Sequence, residues 1–333
     1  MKAPSPDKLA LVKEYARPSI AFALAKIPGT EQFAIASSDF AVAVGEFAKD
    51  KFEAKDLYKH DSYATGIVAT AKFVISGGYD GKLQWWSLED KKPIRTVEAH
   101  KKWIRQLRLS PDGKLLLSIA DDMTGRLWDA ETGKAVRDLT GHKEKTPHHF
   151  PSMLYAAAFA PKGDTIATGD KTGRVILWET ATGNIAGEVE APGMYTWDPV
   201  QRLHSIGGIR SLAFSPDGKQ LAVGGMGKVG NIDHLEGKAR VEVFDVTTGK
   251  RAVEFPGDKF SGLVNRLCWA GDGSWLLGAG GSGEGFLLFF DVTTKKVLKQ
   301  EKAAMHIHDA WLSDESDRLV CAGHNKLLAY KLG

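Results

Sequence analysis

Four stretches of the chain carry one pattern of apolar and polar positions. They are "LRLSPDGKLLLSIADDMTGRLWDAETGKAV", "AAFAPKGDTIATGDKTGRVILWETATGNIA", "LAFSPDGKQLAVGG" with "ARVEVFDVTTGKRA", and "LCWAGDGSWLLGAG" with "GFLLFFDVTTKKVL". In each, an alternating run leads through a tight turn to an apolar run. A second turn comes next, then a run ending near Trp or Phe, then a turn resembling Asp/Glu-x-x-Thr-Gly. Period-two alternation predicts strands buried on one face, and short apolar runs bounded by turn residues predict strands buried on both. The first turns fall at Pro111, Asp112 and Gly113, at Pro161, Lys162 and Gly163, at Pro216, Asp217 and Gly218, and at Gly271, Asp272 and Gly273. Proline presets φ there and glycine tolerates a positive φ.

Weaker copies flank these four. "FALAKIPGTEQFAIASSDFAVAVGEF" and "GIVATAKFVISGGYDGKLQWWSLEDKKPI" precede them, and "AWLSDESDRLVCAGHNKLLAYKLG" closes the chain. The repeat therefore predicts an all-β fold, a seven-bladed β-propeller of four-stranded antiparallel blades, with a period of about 40 residues plus insertions. The expected units are 18–61, 62–101, 102–143, 144–192, 193–259, 260–303 and 304–333. The last unit ends after its third strand. "KLALVKEY", residues 8–15, has the pattern of the missing fourth, so an N-terminal strand is expected to complete the last blade and make 1–333 one domain. "GRLWDAETGK", "GHK" and "SPDGK" are similar to the WD-repeat β-propeller family, and the resemblance runs over essentially the whole chain.

Composition narrows the function classes. At 333 residues, with 43% hydrophobic and 26% charged residues, the chain has the makings of a large core. Its net charge of +3 comes from 44 basic and 41 acidic residues, well mixed, which predicts no nucleic-acid partner. No apolar run approaches the roughly 20 residues of a membrane span, so no membrane partner is expected. Cys268 and Cys321 lie in apolar stretches and the N-terminal residues lack an apolar signal-peptide core, which predicts a cytoplasmic setting.

Two glycine runs, Gly225 to Gly230 and Gly278 to Gly283, match G-x-G-x-x-G. A dinucleotide site needs a strand before the glycines and a helix after them. Neither run opens a helix, and each leads instead into a strand-like segment, so the glycines are expected to be turn residues and no cofactor is predicted. His100, Ser118, Asp122 and Trp128, and His60, Ser76, Asp80 and Trp86, stand where the resemblance implies a hydrogen-bonded brace within a blade. Ser, His and Asp together also suit a hydrolytic triad. Recurrence in two units favours the brace, so no catalytic residue is expected. In the next unit His142, Thr168 and Trp178 recur, with Thr172 where the Asp is expected.

The insertions mark the expected functional face. "HKEKTPHHFPSM" (142–153), "APGMYTWDPVQRLHSIGG" (191–208) and "GMGKVGNIDHLEGKA" (225–239) all fall in the loops from the fourth strand to the next blade, or from second strand to third. In a propeller these loops share one face. Aligning the starts of the first strands adds Tyr63, Trp103, Arg105, Met153, Tyr155, Arg210, His306 and His308, with Thr65, Gly208, Leu263, Asn265, Ile20 and Phe22 in the same register. Tyr79 and Trp197 join them as expected partner-binding residues, being of the types enriched in interfaces. The predicted function is a non-enzymatic protein or peptide interaction scaffold, standing free or as a subunit of a larger complex. The alternative is a small-ligand or hydrolytic site at the channel mouth. That alternative would use a metal at His306, His308 and His324, whereas hydrogen-bonded histidines and no metal are the leading expectation.

Overall fold

The computed structural model describes residues 2–48 and 51–333. Seven four-stranded antiparallel sheets succeed one another along the chain. Blade 1 comprises Ala21–Lys26, Phe33–Ser37, Ala41–Phe47 and Phe52–Lys59. Blade 2 comprises Ala64–Ala69, Phe73–Gly78, Lys82–Ser87 and Lys92–Glu98. Blade 3 is Ile104–Leu109, Leu115–Ala120, Thr124–Asp129 and Ala135–Thr140, and blade 4 is Leu154–Phe159, Thr165–Asp170, Arg174–Glu179 and Ile185–Glu190. Blade 5 is Ser211–Phe214, Gln220–Met226, Ala239–Asp245 and Arg251–Phe255, and blade 6 is Leu263–Trp269, Leu276–Gly281, Gly285–Asp291 and Lys296–Ala303. Blade 7 takes Ile307–Leu312, Arg318–Gly323 and Lys326–Leu332 from the end of the chain and Leu9–Ala16 from its start.

The first strand of each blade lies against the first strand of the next, and blade 7 returns to blade 1, so the sheets form a ring. Its closure is the antiparallel pairing of Leu9 with Leu332 through Ala16 with Lys326. That pairing covers the backbone edge of the last strand, which would otherwise template association.

The turn chemistry works locally. Gly113, at φ 71°, donates its N–H to the Ser110 carbonyl, while the Asp112 carboxylate accepts from Ser110 Oγ and the Lys114 amide. Ser215, Asp217, Gly218 and Lys219 repeat this in blade 5. Between third and fourth strands, Asp129 Oδ1 accepts from the amide and hydroxyl of Thr132, and Asp245 does the same for Thr248.

The core is divided among the blade interfaces. Trp85 of blade 2 is buried with Ile104, Leu107, Leu116 and Trp128 of blade 3, and its indole N–H reaches the Ala130 carbonyl at 2.9 Å. Comparable apolar layers lie at every other interface, including Tyr15, Val320 and Leu327 of blade 7 against Phe33 and Ile35 of blade 1. Each large side chain so buried contributes about 1.5–3 kcal/mol.

The glycine runs correct one expectation. Gly225 lies within the strand Gln220–Met226, and Gly278, Gly280 and Gly281 lie within Leu276–Gly281, so most of these glycines are strand residues. Neighbouring backbone requires them: a Cβ on Gly280 would collide with the Leu263 carbonyl oxygen, and one on Gly225 would crowd the Gly208 carbonyl and Met194 Sδ.

Candidate functional site

Two chemistries sit close together in this fold, one buried inside the blades and one at the channel mouth. In blade 3, His100 Nε2 lies 2.7 Å from Ser118 Oγ, Trp128 Nε1 donates to the same oxygen at 2.9 Å, and His100 Nδ1 faces Asp122 at 3.1 Å. In blade 2, His60 contacts Ser76 at 2.7 Å and Asp80 at 2.8 Å. There the remaining partner of Ser76 is the Tyr58 hydroxyl at 2.8 Å, and Trp86 stacks on the Tyr58 ring instead of bonding the serine. Blade 4 departs from the sequence expectation as well. His142 pairs with Asp170 at 2.8 Å, two residues before Thr172, and the Thr172 hydroxyl donates to that carboxylate at 2.7 Å. The carboxylate position is thus filled from the end of the second strand. These side chains are buried and satisfy one another, which suits rigidity and leaves no nucleophile presented to substrate.

The channel mouth is built by a backbone device. In six blades the first strand carries a register shift at one residue: Phe22, Thr65, Arg105, Tyr155, Asn265 and His308. A β-bulge leaves its extra residue unpaired and re-aims the side chain. All six line one cavity of about 300 Å³ on the ring axis, together with Tyr79, Arg210 and His306.

Around the rim the side chains form an unbroken arc. His308 meets the edge of Phe22 at 5.2 Å, and Phe22 contacts Tyr63 at 5.7 Å. Tyr63 touches Tyr79 at 5.7 Å, and Tyr79 stacks on Trp103 at 4.2 Å with the rings 4° from parallel. Arg105 forks onto Asp121 through Nε at 2.8 Å and Nη2 at 2.6 Å, and donates to the Tyr79 hydroxyl at 2.6 Å. Tyr155 lies between two guanidinium groups, with Arg210 only 3.5 Å over its ring and Arg105 at 5.4 Å, and its hydroxyl contacts Met153 Sδ. Arg105 is therefore a held element of the rim, while Trp103 and Tyr63 present surface, at 47% and 41% exposure. Nη1 of Arg210 is buried without a hydrogen-bond partner.

Sequence reasoning overlooked two rim residues. Phe40 is exposed against Tyr63 at φ 72°, in the turn position where blades 2 and 4 have Gly81 and Gly173. A left-handed backbone at a bulky residue costs about 1–3 kcal/mol. Its mark in the sequence is a phenylalanine at the turn position that is glycine in blades 2 and 4 and Met123 in blade 3. Asp121, the partner of Arg105, was masked by Asp122, its neighbour in the brace.

Beside the arc the three insertions form a shelf. The second folds as the hairpin Tyr195–Asp198 and His204–Gly207. His148 of the first insertion stacks on Trp197 at 3.6 Å and on Tyr195 at 5.7 Å. The third joins through the Val229 amide on Thr196 Oγ1 at 3.2 Å, the Arg202–Asp233 ion pair at 2.8 Å, and a small core of Met226, Val229, Ile232 and Leu263. Trp197 thus lies on the shelf, apart from the arc, and Met153 links the two.

His306, His308 and His324 are gathered at blade 7, with ring centroids 4.5–5.0 Å apart. Burial, with the charge of His324, holds His306 down at about 4 against a hydrogen bond to the Ser282 backbone. Burial and its two histidine neighbours hold His308 at about 3. Cys268 and Cys321 are free thiols, and burial pushes that of Cys321 up.

The family described as "WD domain, G-beta repeat" matches residues 91–129, 133–179 and 197–229. Among curated relatives, nuclear distribution protein PAC1-2 of Uncinocarpus reesii is 27% identical over 223 residues, 63% of this chain and 43% of the relative. Eukaryotic translation initiation factor 3 subunit I of Culex quinquefasciatus is 29% identical over 177 residues, 52% of this chain and 48% of the relative. WD repeat-containing protein VIP3 of Arabidopsis thaliana is 28% identical over 167 residues, 49% and 50%. The matched part of the chain spans about half or less of each of these relatives. With seven blades in a closed ring and the matches falling on its repeats, the chain is a seven-bladed β-propeller whose repeats are similar to those of the WD-repeat family.

Proposed function

We propose that the protein is a non-enzymatic scaffold that binds a protein or peptide across the channel mouth and the adjoining shelf. The observation that carries this reading is the arc of Tyr63, Tyr79, Trp103, Arg105, Tyr155 and Arg210, which offers exposed aromatic surface held in place by stacking and ion pairing. Rigid aromatic and arginine anchors concentrate binding energy because little side-chain entropy is lost on contact. On the opposite face Phe33, Phe47, Phe52 and Trp311 also contact one another, but they are buried or half-buried, whereas Tyr63 and Trp103 are exposed. The relative named as a subunit of an initiation factor supports membership of an assembly for this chain too. A cytoplasmic protein with two free thiols, requiring no nucleic acid or membrane, fits the same reading. Among the described residues, no helix is long and apolar enough to cross a membrane.

The test is affinity capture with the wild type, a rim variant (Tyr63→Ala, Trp103→Ala, Arg210→Ala) and an opposite-face variant (Lys114→Glu, Lys219→Glu), all matched in melting temperature. A partner lost only from the rim variant is the expected result. A partner held equally by wild type and rim variant would refute the assignment of the face.

A further inference from the structure

The three histidines of blade 7 differ from the histidines of the braces. His60, His100 and His142 each have both ring nitrogens engaged by a carboxylate and a hydroxyl. His308 Nε2 is buried with no hydrogen-bond partner. His306 Nε2 lies 2.9 Å from the Asn265 amide nitrogen, which donates to the ring nitrogen's lone pair, so a cation there would take the place of one hydrogen bond from a neutral amide. One ring nitrogen from each of His306, His308 and His324 lies within 4.8 Å of the others.

The backbone enforces this convergence. His306 immediately precedes the strand Ile307–Leu312, and the bulge at His308 turns its ring to the same side. The His324 amide bonds the His306 carbonyl at 3.1 Å, drawing the turn after the second strand onto the first. Gly323 permits that approach, because a Cβ there would collide with the same carbonyl. His306 is buried, His308 half-buried and His324 exposed, so the cluster is open on one side.

We propose that His306, His308 and His324 form a three-histidine site for a divalent d-block cation, zinc in the first instance, with one coordination position left open to solvent. Neutral imidazole is the required ligand form, and three ligands plus an exchangeable position is a common arrangement for zinc. Zn–N bonds of about 2.0–2.1 Å place tetrahedral ligand nitrogens about 3.3 Å apart, so the rings must close by up to about 1.5 Å. His324, at the exposed turn, is the ring free to make that movement. Support for the ring is present as well: His306 is hydrogen-bonded to the Ser282 backbone, and Asn265, held by its bond to the Ile307 carbonyl at 2.8 Å, packs beside it.

The experiment uses the full chain, stripped with chelator and titrated calorimetrically with Zn²⁺, with Co²⁺ absorption reporting geometry. One Zn²⁺ per chain, intense tetrahedral cobalt bands and an affinity weakened about tenfold or more in His324→Asn are expected. His324 is exposed, so this variant keeps its fold, which circular dichroism checks. His234→Asn, on the exposed third insertion, should bind as wild type does. Absence of stoichiometric metal, weak octahedral cobalt bands, or His324→Asn binding with wild-type affinity would each overturn the site.

Discussion

Replacing Thr168 with valine isolates the brace of blade 4, because the two side chains have nearly the same shape. Trp178 Nε1 lies 2.7 Å from Thr168 Oγ1, and His142 Nε2 lies 2.9 Å from it. An indole only donates, so Thr168 accepts from Trp178 and gives its single hydrogen to His142 Nε2. The ring hydrogen of His142 then sits on Nδ1, pointing at Asp170 2.8 Å away. Thr168 and Trp178 are each 1% exposed, so water cannot replace the lost hydroxyl. Thr168→Val strands one donor and one acceptor at about 1–3 kcal/mol each, a total of roughly 2–6 kcal/mol. Thr168→Ser keeps the hydroxyl and loses one methyl, about 1 kcal/mol. The hydroxyl therefore predicts that serine is the more stable replacement, whereas apolar burial alone ranks valine first. Urea unfolding followed by far-UV circular dichroism measures both. Adding Trp178→Phe to Thr168→Val removes the stranded donor, and the double-mutant cycle should return a coupling of about 1 kcal/mol or more. A Thr168→Val protein as stable as Thr168→Ser, or a cycle with no coupling, would refute the reasoning.

The fold dictates three further outcomes. Burial works to raise the carboxyls of Asp80, Asp122 and Asp170, but their histidine and backbone or hydroxyl partners prevail and hold all three below the ordinary 3.8. A carboxylate whose folded pKa is depressed stabilises the fold above its unfolded value, and this is lost as pH falls through the folded one. Melting temperature should thus drop on acidification below about pH 4, more shallowly in Asp122→Asn. Glu242 is fully buried between Arg240 at 2.8 Å and Arg251 at 2.9 Å, and both arginines also reach Glu254. Because Arg251 is solvent-screened and Glu254 remains, Glu242→Gln should cost about 2–3 kcal/mol in urea unfolding, less than a wholly unpaired buried charge would. Deleting residues 2–16 uncovers the edge of Lys326–Leu332, and size-exclusion chromatography should show self-association in place of a monodisperse peak.

The propeller was legible in the sequence because its determinants are local and repeated. Turns such as Ser110 to Lys114 and Asp129 to Gly133 need particular residues at particular places, and seven copies of one pattern leave little choice of architecture. The ring closure was legible for the same reason, since an unpaired third strand asks for a fourth. Brace membership was less so, because it depends on which side chain reaches a given point in space. Asp170 reaches His142 from two residues upstream of the aligned position, and Tyr58 from the preceding blade takes the place beside Ser76 that Trp86 was expected to fill.

The rim was legible by register but not by mechanism. Alternation put Trp103 and Arg105, Tyr63 and Thr65, or His306 and His308 on one side of a regular strand. The structure instead interrupts the strand at the second of each pair. Phe22, Thr65, Arg105, Tyr155, Asn265 and His308 share no residue type, so nothing in their chemistry announces a bulge. That diversity has a physical basis. A bulged residue is excused from the ladder, and its side chain meets the channel instead of the next blade's core, so packing places little constraint on what it is. A repeated backbone irregularity thus creates six positions where the sequence is free to encode binding. In this chain those positions carry two chemistries side by side, aromatic and guanidinium groups in Phe22, Arg105 and Tyr155 of blades 1, 3 and 4, and an imidazole in His308 of blade 7.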